Sequence, residues 1–161
     1  MDFRYLIPEK IFDELTQLVK DHGEKFVSGW IHADRRDKFA VVSGYQVTNT
    51  DSMNHTKPKS WMRLKKDKIH TMRRLKDEDG HDIVWQFHTH PDGNDELHDM
   101  DKQILRYLST GVMILILEND IVGWFYDKRD TKKPFIDRMN FEVINEFWFL
   151  FLFLFRSFSF S

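Results

Sequence analysis

No cysteine occurs among the 161 residues. That absence excludes a disulfide framework, a thiolate zinc site and a cysteine nucleophile together, and it fits a reducing cytosol. A dominant sign of charge is also missing. The formal net charge is -2, which gives no overall reason to expect nucleic acid or an anionic membrane as partner. Long apolar runs are scarce: the longest, Phe147 to Phe155, covers nine residues, well short of the roughly 20 of a spanning helix. The opening MDFRYLIPEK has neither the basic stretch nor the apolar core of a signal peptide. A cytoplasmic protein without a transmembrane segment is the expectation. With 41% hydrophobic and 31% charged residues the chain is long enough for one domain around one core.

Residues 8–22, PEKIFDELTQLVKDH, predict an amphipathic helix opened by Pro8 and stopped by Gly23. EKFVSGWIHA and KFAVVSGYQV predict two strands around the charged turn DRRD. Turn and loop residues fill 48–60, and 61–80 predict a short strand piece and then a helix ending near Gly80. DIVWQF predicts a strand whose last residue abuts His88. Helical spacing returns from about Asp95, with Met100, Ile104, Tyr107 and Leu108 on one face. VMILILE and IVGWFYD predict two more strands. Helices and strands intermix without repeat or linker, which implies a single α/β or α+β domain over residues 1–140.

Residues 141–161 form a separate compositional unit, a Phe-rich tail with eight of the fifteen phenylalanines. A last element on the core, an oligomer contact, a membrane-surface contact and an unnatural chain end all fit this composition.

The chemistry concentrates in WQFHTHPDGNDELHDMD, where three histidines and five acids occupy seventeen positions. Residues i and i+2 at a strand end share a face, so His88 and His90 can converge on one ion. Pro91 and Gly93 turn the chain, and the following helix brings Asp101 back toward the pair. His98 and Asp101, three apart, share a helical face. Two imidazoles and a carboxylate suit zinc and leave a coordination position for water, whose pKa falls toward ~7. Other metal motifs fit less well. A metallo-β-lactamase type HxHxD usually continues with histidine, where this chain has Gly93. Glu96 is late for a cupin, and zinc deaminases need cysteine pairs.

His88-Thr89-His90-Pro91, seven residues, His98, two residues and Asp101 together resemble the JAMM (MPN-plus) metalloprotease signature. The resemblance covers about residues 5–127. It implies an MPN-like (cytidine-deaminase-like) α/β fold, a mixed sheet flanked by helices. It also implies a zinc ion held by His88, His90 and Asp101, with Glu24 as general base and acid. The family usually has glycine three residues after this glutamate, where this chain has Val27. The family's oxyanion-stabilising serine is here His98, which can act as the substitute donor, as a fourth ligand closing the site, or as a solvated helix residue.

The implied activity is hydrolysis of an amide or isopeptide bond after the tail of a ubiquitin-like protein or in a peptide substrate. The alternative is a non-catalytic MPN-type binding or scaffold module with structural or absent zinc. A basic run, Lys57 to Lys76, reads as a solvated helix face or as a docking surface for an acidic partner, with no nucleic-acid motif beside it.

Overall fold

The computed structural model describes residues 3–49, 71–108, 110–127 and 135–154. Strand β1 (Arg4–Pro8) runs into helix α1 (Glu9–His22), and β2 (Ser28–Arg36) and β3 (Phe39–Asn49) follow. After a π-helical turn (Arg74–Glu78) come β4 (Ile83–Thr89), α2 (Asp99–Tyr107), β5 (Val112–Ile116), β6 (Ile121–Asp127), β7 (Phe135–Ile144) and α3 (Glu146–Leu154).

The seven strands close into a barrel in the order β1-β3-β2-β4-β5-β6-β7. Closure comes from β1, which pairs in parallel with β3 on one side and with β7 on the other. The β4–β5 pair is also parallel, and the remaining pairs are antiparallel. This corrects the expected MPN-like mixed sheet flanked by helices. The reason lies in the two strands that the residue pattern did not announce. RYLIP is short and leads straight into a helix, and residues 135–144 alternate too weakly to stand out, yet together they seal the two edges. Closure leaves no open edge among these strands, so no helix is needed to cover one.

Inward side chains from every strand meet in one cluster. It includes Ile7, Ile31, Ala33, Val42, Phe87, Ile114, Ile121 and Met139, joined by Leu15 and Val19 of α1. Two clusters lie on the outer face. Beneath α2, Leu97, Ile104 and Leu105 cover Met113 and Leu115 of β5. Beside it, Leu75 packs on Trp30 and Val84, with Met72 against them. Strand β5 is therefore buried on both faces, which explains its unbroken VMILI. Full burial of Leu105 contributes about 1.5–3 kcal/mol and fixes α2 against the sheet.

Helix α1 matches the residue pattern closely, with Pro8 before it and Gly23 closing it at φ 55 through a bond from its N–H to Val19 O. The expected helix end near Gly80 corresponds to the turn at 71–79, with Gly80 at φ 72. Residues 141–144 complete β7, and the apolar run forms α3, on which Phe147, Trp148, Leu150 and Phe151 are exposed. No helix of the described residues is long and apolar enough to cross a membrane. Of the basic run, Arg73, Arg74 and Lys76 are exposed on the turn; residues 57–70 lie outside the described residues.

Candidate metal centre

Strand β4 extends beyond the expected DIVWQF to take in His88 and Thr89, and its end is pinned on both sides. Thr89 N–H donates to Val27 O (2.9 Å), Val27 N–H donates to Thr89 Oγ1 (2.9 Å), and His90 N–H donates to Ile116 O (2.8 Å). The backbone that carries both imidazoles is thus held by its neighbours on either side. Thr89 is buried, and His88 and His90 point together to the outer face.

The loop back to α2 is built from short polar turns. Gly93 takes φ 72 and its N–H donates to His90 O (3.1 Å). Asp92 Oδ1 accepts from Asn94 N–H and Asn94 Oδ1 from Glu96 N–H, two Asx turns in succession. Trp124 Nε1 and Arg138 Nη1 hold Asp95 against β6 and β7, at 3.0 and 2.7 Å. Leu97 is buried under the loop's end, and His98 caps α2.

Asp101 arrives on the first turn of α2 and completes the group. Its Oδ1 lies 3.1 Å from His88 Nε2, its Oδ2 lies 3.2 Å from His90 Nε2, and the two Nε2 atoms are 3.0 Å apart. Asp101 Oδ2 also accepts the backbone N–H of His98 at 3.0 Å. All three residues are buried, none more than 2% exposed.

The protons in this group are constrained. The Asn94 carbonyl can only accept, so the 2.8 Å contact to His90 Nδ1 places a proton on that nitrogen. The neutral ring then presents an Nε2 lone pair to His88 Nε2 and to the Asp101 oxygens. Acceptors that face one another in a dry interior need a shared proton or a cation between them. Burial alone would raise the Asp101 carboxyl, but the hydrogen bonds and charges of His88 and His90 outweigh it. They hold Asp101 far below the usual carboxylate range. Burial likewise opposes charge on His90, and its bonds to Asp101 and to the Asn94 carbonyl overcome that and raise it. The carboxylate of Asp101 and the protonated form of His90 thus stabilise one another.

An ion fits the spacing. Bonds of ~2.0–2.1 Å in a tetrahedron set ligand atoms about 3.3 Å apart; here the two Nε2 atoms are 3.0 Å apart, and each lies 3.1–3.2 Å from one of the two Asp101 oxygens. His88, His90 and Asp101 could therefore hold a metal ion. The hydrogen bond from His90 Nδ1 to Asn94 is the outer support that fixes a ligand imidazole in the required tautomer.

His98 stands beside the trio and outside it. Its ring stacks on that of His90, centroids 4.7 Å apart, while its Nε2 pairs with Asp92 Oδ2 at 3.0 Å. Glu24 lies in the turn between α1 and β2 and is exposed, rather than in the strand. It stands three residues before Val27, which is bonded to Thr89 beside the ligands, and it is not part of the ligand group. The Asp92–His98 pair was not anticipated from the residues. Its signal was the D-x-N-x-E spacing of the Asx turns, which shapes the loop so that Asp92 meets the helix cap.

No protein-family model matches the chain, and no curated protein matches it. Among solved structures it is similar to the solution structure of protein DSY2949 from Desulfitobacterium hafniense. The TM-score is 0.58 at 15% identity, covering 88% of this chain and 93% of that one. At that identity the likeness shows the fold alone.

Proposed function

We propose that this protein is a zinc-dependent hydrolase that cleaves an amide or isopeptide bond. The observation that supports it best is the convergence of the buried His88 Nε2, His90 Nε2 and Asp101 carboxylate, with the two nitrogens 3.0 Å apart and each 3.1–3.2 Å from a carboxylate oxygen, close to the spacing of a tetrahedral ion's ligands. When bound there, the ion would supply a Lewis acid and lower the pKa of a water toward ~7. The chain's own residues do the rest. Asn94 keeps His90 in the ligating tautomer, and the His98 N–H holds Asp101 in place.

His98 Nε2 is engaged by Asp92 and is not one of the His88, His90 and Asp101 trio, which supports an open coordination position there, although His90, Asp92 and His98 form a second group that could hold an ion. Glu24, from its exposed turn, is the candidate for moving a proton between water and the leaving amine. The order HxHP, seven residues, His98, two residues, Asp101 supports the same reaction by its likeness to the JAMM signature, and with it a substrate that ends in a ubiquitin-like or peptide tail.

The competing reading is a binding module whose metal is structural or absent. The histidine at the family's serine position and the exposure of Glu24 favour it. The two readings separate on zinc-loaded protein offered peptide and isopeptide substrates. The hydrolase turns them over, and loses turnover but not zinc in Glu24→Gln. Full zinc occupancy with no cleavage of any substrate would leave the module.

A further inference from the structure

Beside the ligand group the outer face of the barrel carries polar atoms that the metal chemistry does not use. Ser28 lies directly across from His88 in the β2–β4 ladder, and Trp30 lies directly across from Gln86. Alternate residues of a strand share a face, so Ser28, Trp30, Gln86 and His88 form one patch. On β5 this patch adjoins Met113 and Leu115, which lie under α2. On its other side Trp30 lies under Leu75 and Met72. The patch is thus a polar seam between two apolar clusters, and it leads to the ligands.

The seam is buried and unpaired. Ser28 and Gln86 are each 1% exposed and Trp30 is 5% exposed. Ser28 Oγ, Trp30 Nε1, Gln86 Oε1 and Gln86 Nε2 have no hydrogen-bond partner. Four unpaired polar atoms in one buried patch are costly, and proteins seldom leave them so. Their chemistry specifies what would satisfy them. Trp30 offers a donor, Gln86 two donors and an acceptor, Ser28 one donor and acceptor sites, and none carries charge. A carboxylate or an ammonium would enter this seam without a counter-charge, at a high desolvation cost. A neutral group with both a carbonyl and an N–H is matched.

We propose that the seam of Ser28, Trp30 and Gln86 is a binding site for an uncharged amide-bearing chain that runs from the metal centre along the β2–β4 face. It rests on the metal-centre reading only for what lies at its end. Among the described residues, Trp30 is covered by the helical segment 71–78, with Leu75 and Met72 as its apolar contacts and Arg74 bonded to Gln46. Entry of the ligand lifts this segment.

The test uses the full chain labelled with ¹⁵N and the neutral probe acetyl-glycyl-glycine amide. The Trp30 indole N–H, assigned by Trp30→Phe, and the Gln86 side-chain amide should both shift on titration. Gln86→Met, which keeps the shape and removes the polar atoms, should weaken binding at least tenfold. Ser28→Ala should weaken it several-fold, and zinc content should stay unchanged in both. If Gln86→Met fails to fold, Ser28→Ala and Trp30→Phe carry the comparison. No shift at millimolar probe, equal binding by these variants, or equal binding of glycerol would overturn the proposal. Hydrolysis plays no part in this readout, so probe binding without cleavage would count against the hydrolase alone.

Discussion

Two histidine clusters sit on the same barrel and have opposite geometries. At the end of β4, His88 and His90 point their ring edges at Asp101, with nitrogen and oxygen atoms 3.0–3.2 Å apart. On β2, His32 instead lies face to face with His81, centroids 3.8 Å apart at 23°. His32 Nδ1 is occupied by Ser43 Oγ at 2.8 Å, and the nearest approach of His81 to Asp34 is 3.9 Å. Gly44 makes room for the ring, since a Cβ there would lie 2.6 Å from His32 Cε1. Converging edges create a point where lone pairs meet, whereas stacked faces do not. Only the first cluster belongs to a group that could hold an ion. Histidine and acid content is similar in both places, so the direction of the ring decides what each can do.

The sharpest way to break this contrast is Asp101→Asn. Loss of a ligand should reduce zinc affinity by more than the ~10–100-fold typical of a supporting residue, read by competition with a chromophoric chelator. His32→Asn should leave affinity unchanged. Equal zinc loss in both variants would mean that the contrast between the clusters is false.

Next in size is Glu24→Gln. General acid–base loss predicts a fall in turnover of ~10²–10⁴-fold, with one zinc per chain retained. Turnover that survives the change would remove Glu24 from the mechanism.

A third expectation concerns pH. Burial first, and then the charge of His81, push the His32 pKa down to about 4, against the raising effect of Asp34 and Asp79. A histidine with a depressed folded pKa binds fewer protons folded than unfolded. Its contribution to stability is complete above pH ~6.5 and is lost as pH falls toward ~4. Discounted for partial exposure, the loss is of order 1–2 kcal/mol. Urea midpoints at pH 7 and 4.5, in excess chelator, should differ more in the native chain than in His32→Asn. Equal differences would show that the stacked pair does not sense pH.

The smallest effect is Ser43→Ala, which removes two part-buried hydrogen bonds, to the His32 ring and to its carbonyl, and should cost about 1–2 kcal/mol. Urea denaturation would detect it. The metal centre should be indifferent to this change.

The His88, His90 and Asp101 group, which could hold an ion, was the most legible part of the residue pattern, because its determinants are local. An HxH pair at a strand end and an acid one helical turn past a cap define their own geometry. Helix α1 and strands β4, β5 and β6 were legible for the same reason. Barrel closure was not, since it depends on β1 meeting β7 across the length of the chain, and such pairing leaves no local periodicity. The strand expected to begin at Glu24 begins at Ser28, which left Glu24 exposed in the preceding turn. Beyond the D-x-N-x-E spacing of its Asx turns, the pairing of His98 with Asp92 needed the loop's anchors on Trp124 and Arg138, long-range contacts that no local spacing encodes.

The measurement that bears most directly on the account is the metal content of the purified protein, together with the coordination of that metal by X-ray absorption. One zinc per chain is expected, bound by two imidazole nitrogens and a carboxylate oxygen at ~2.0–2.1 Å, with water completing the shell. Iron in its place would keep the ligand set and redirect the chemistry. A chain that takes up no zinc, iron or manganese when these are supplied would contradict the metal centre itself.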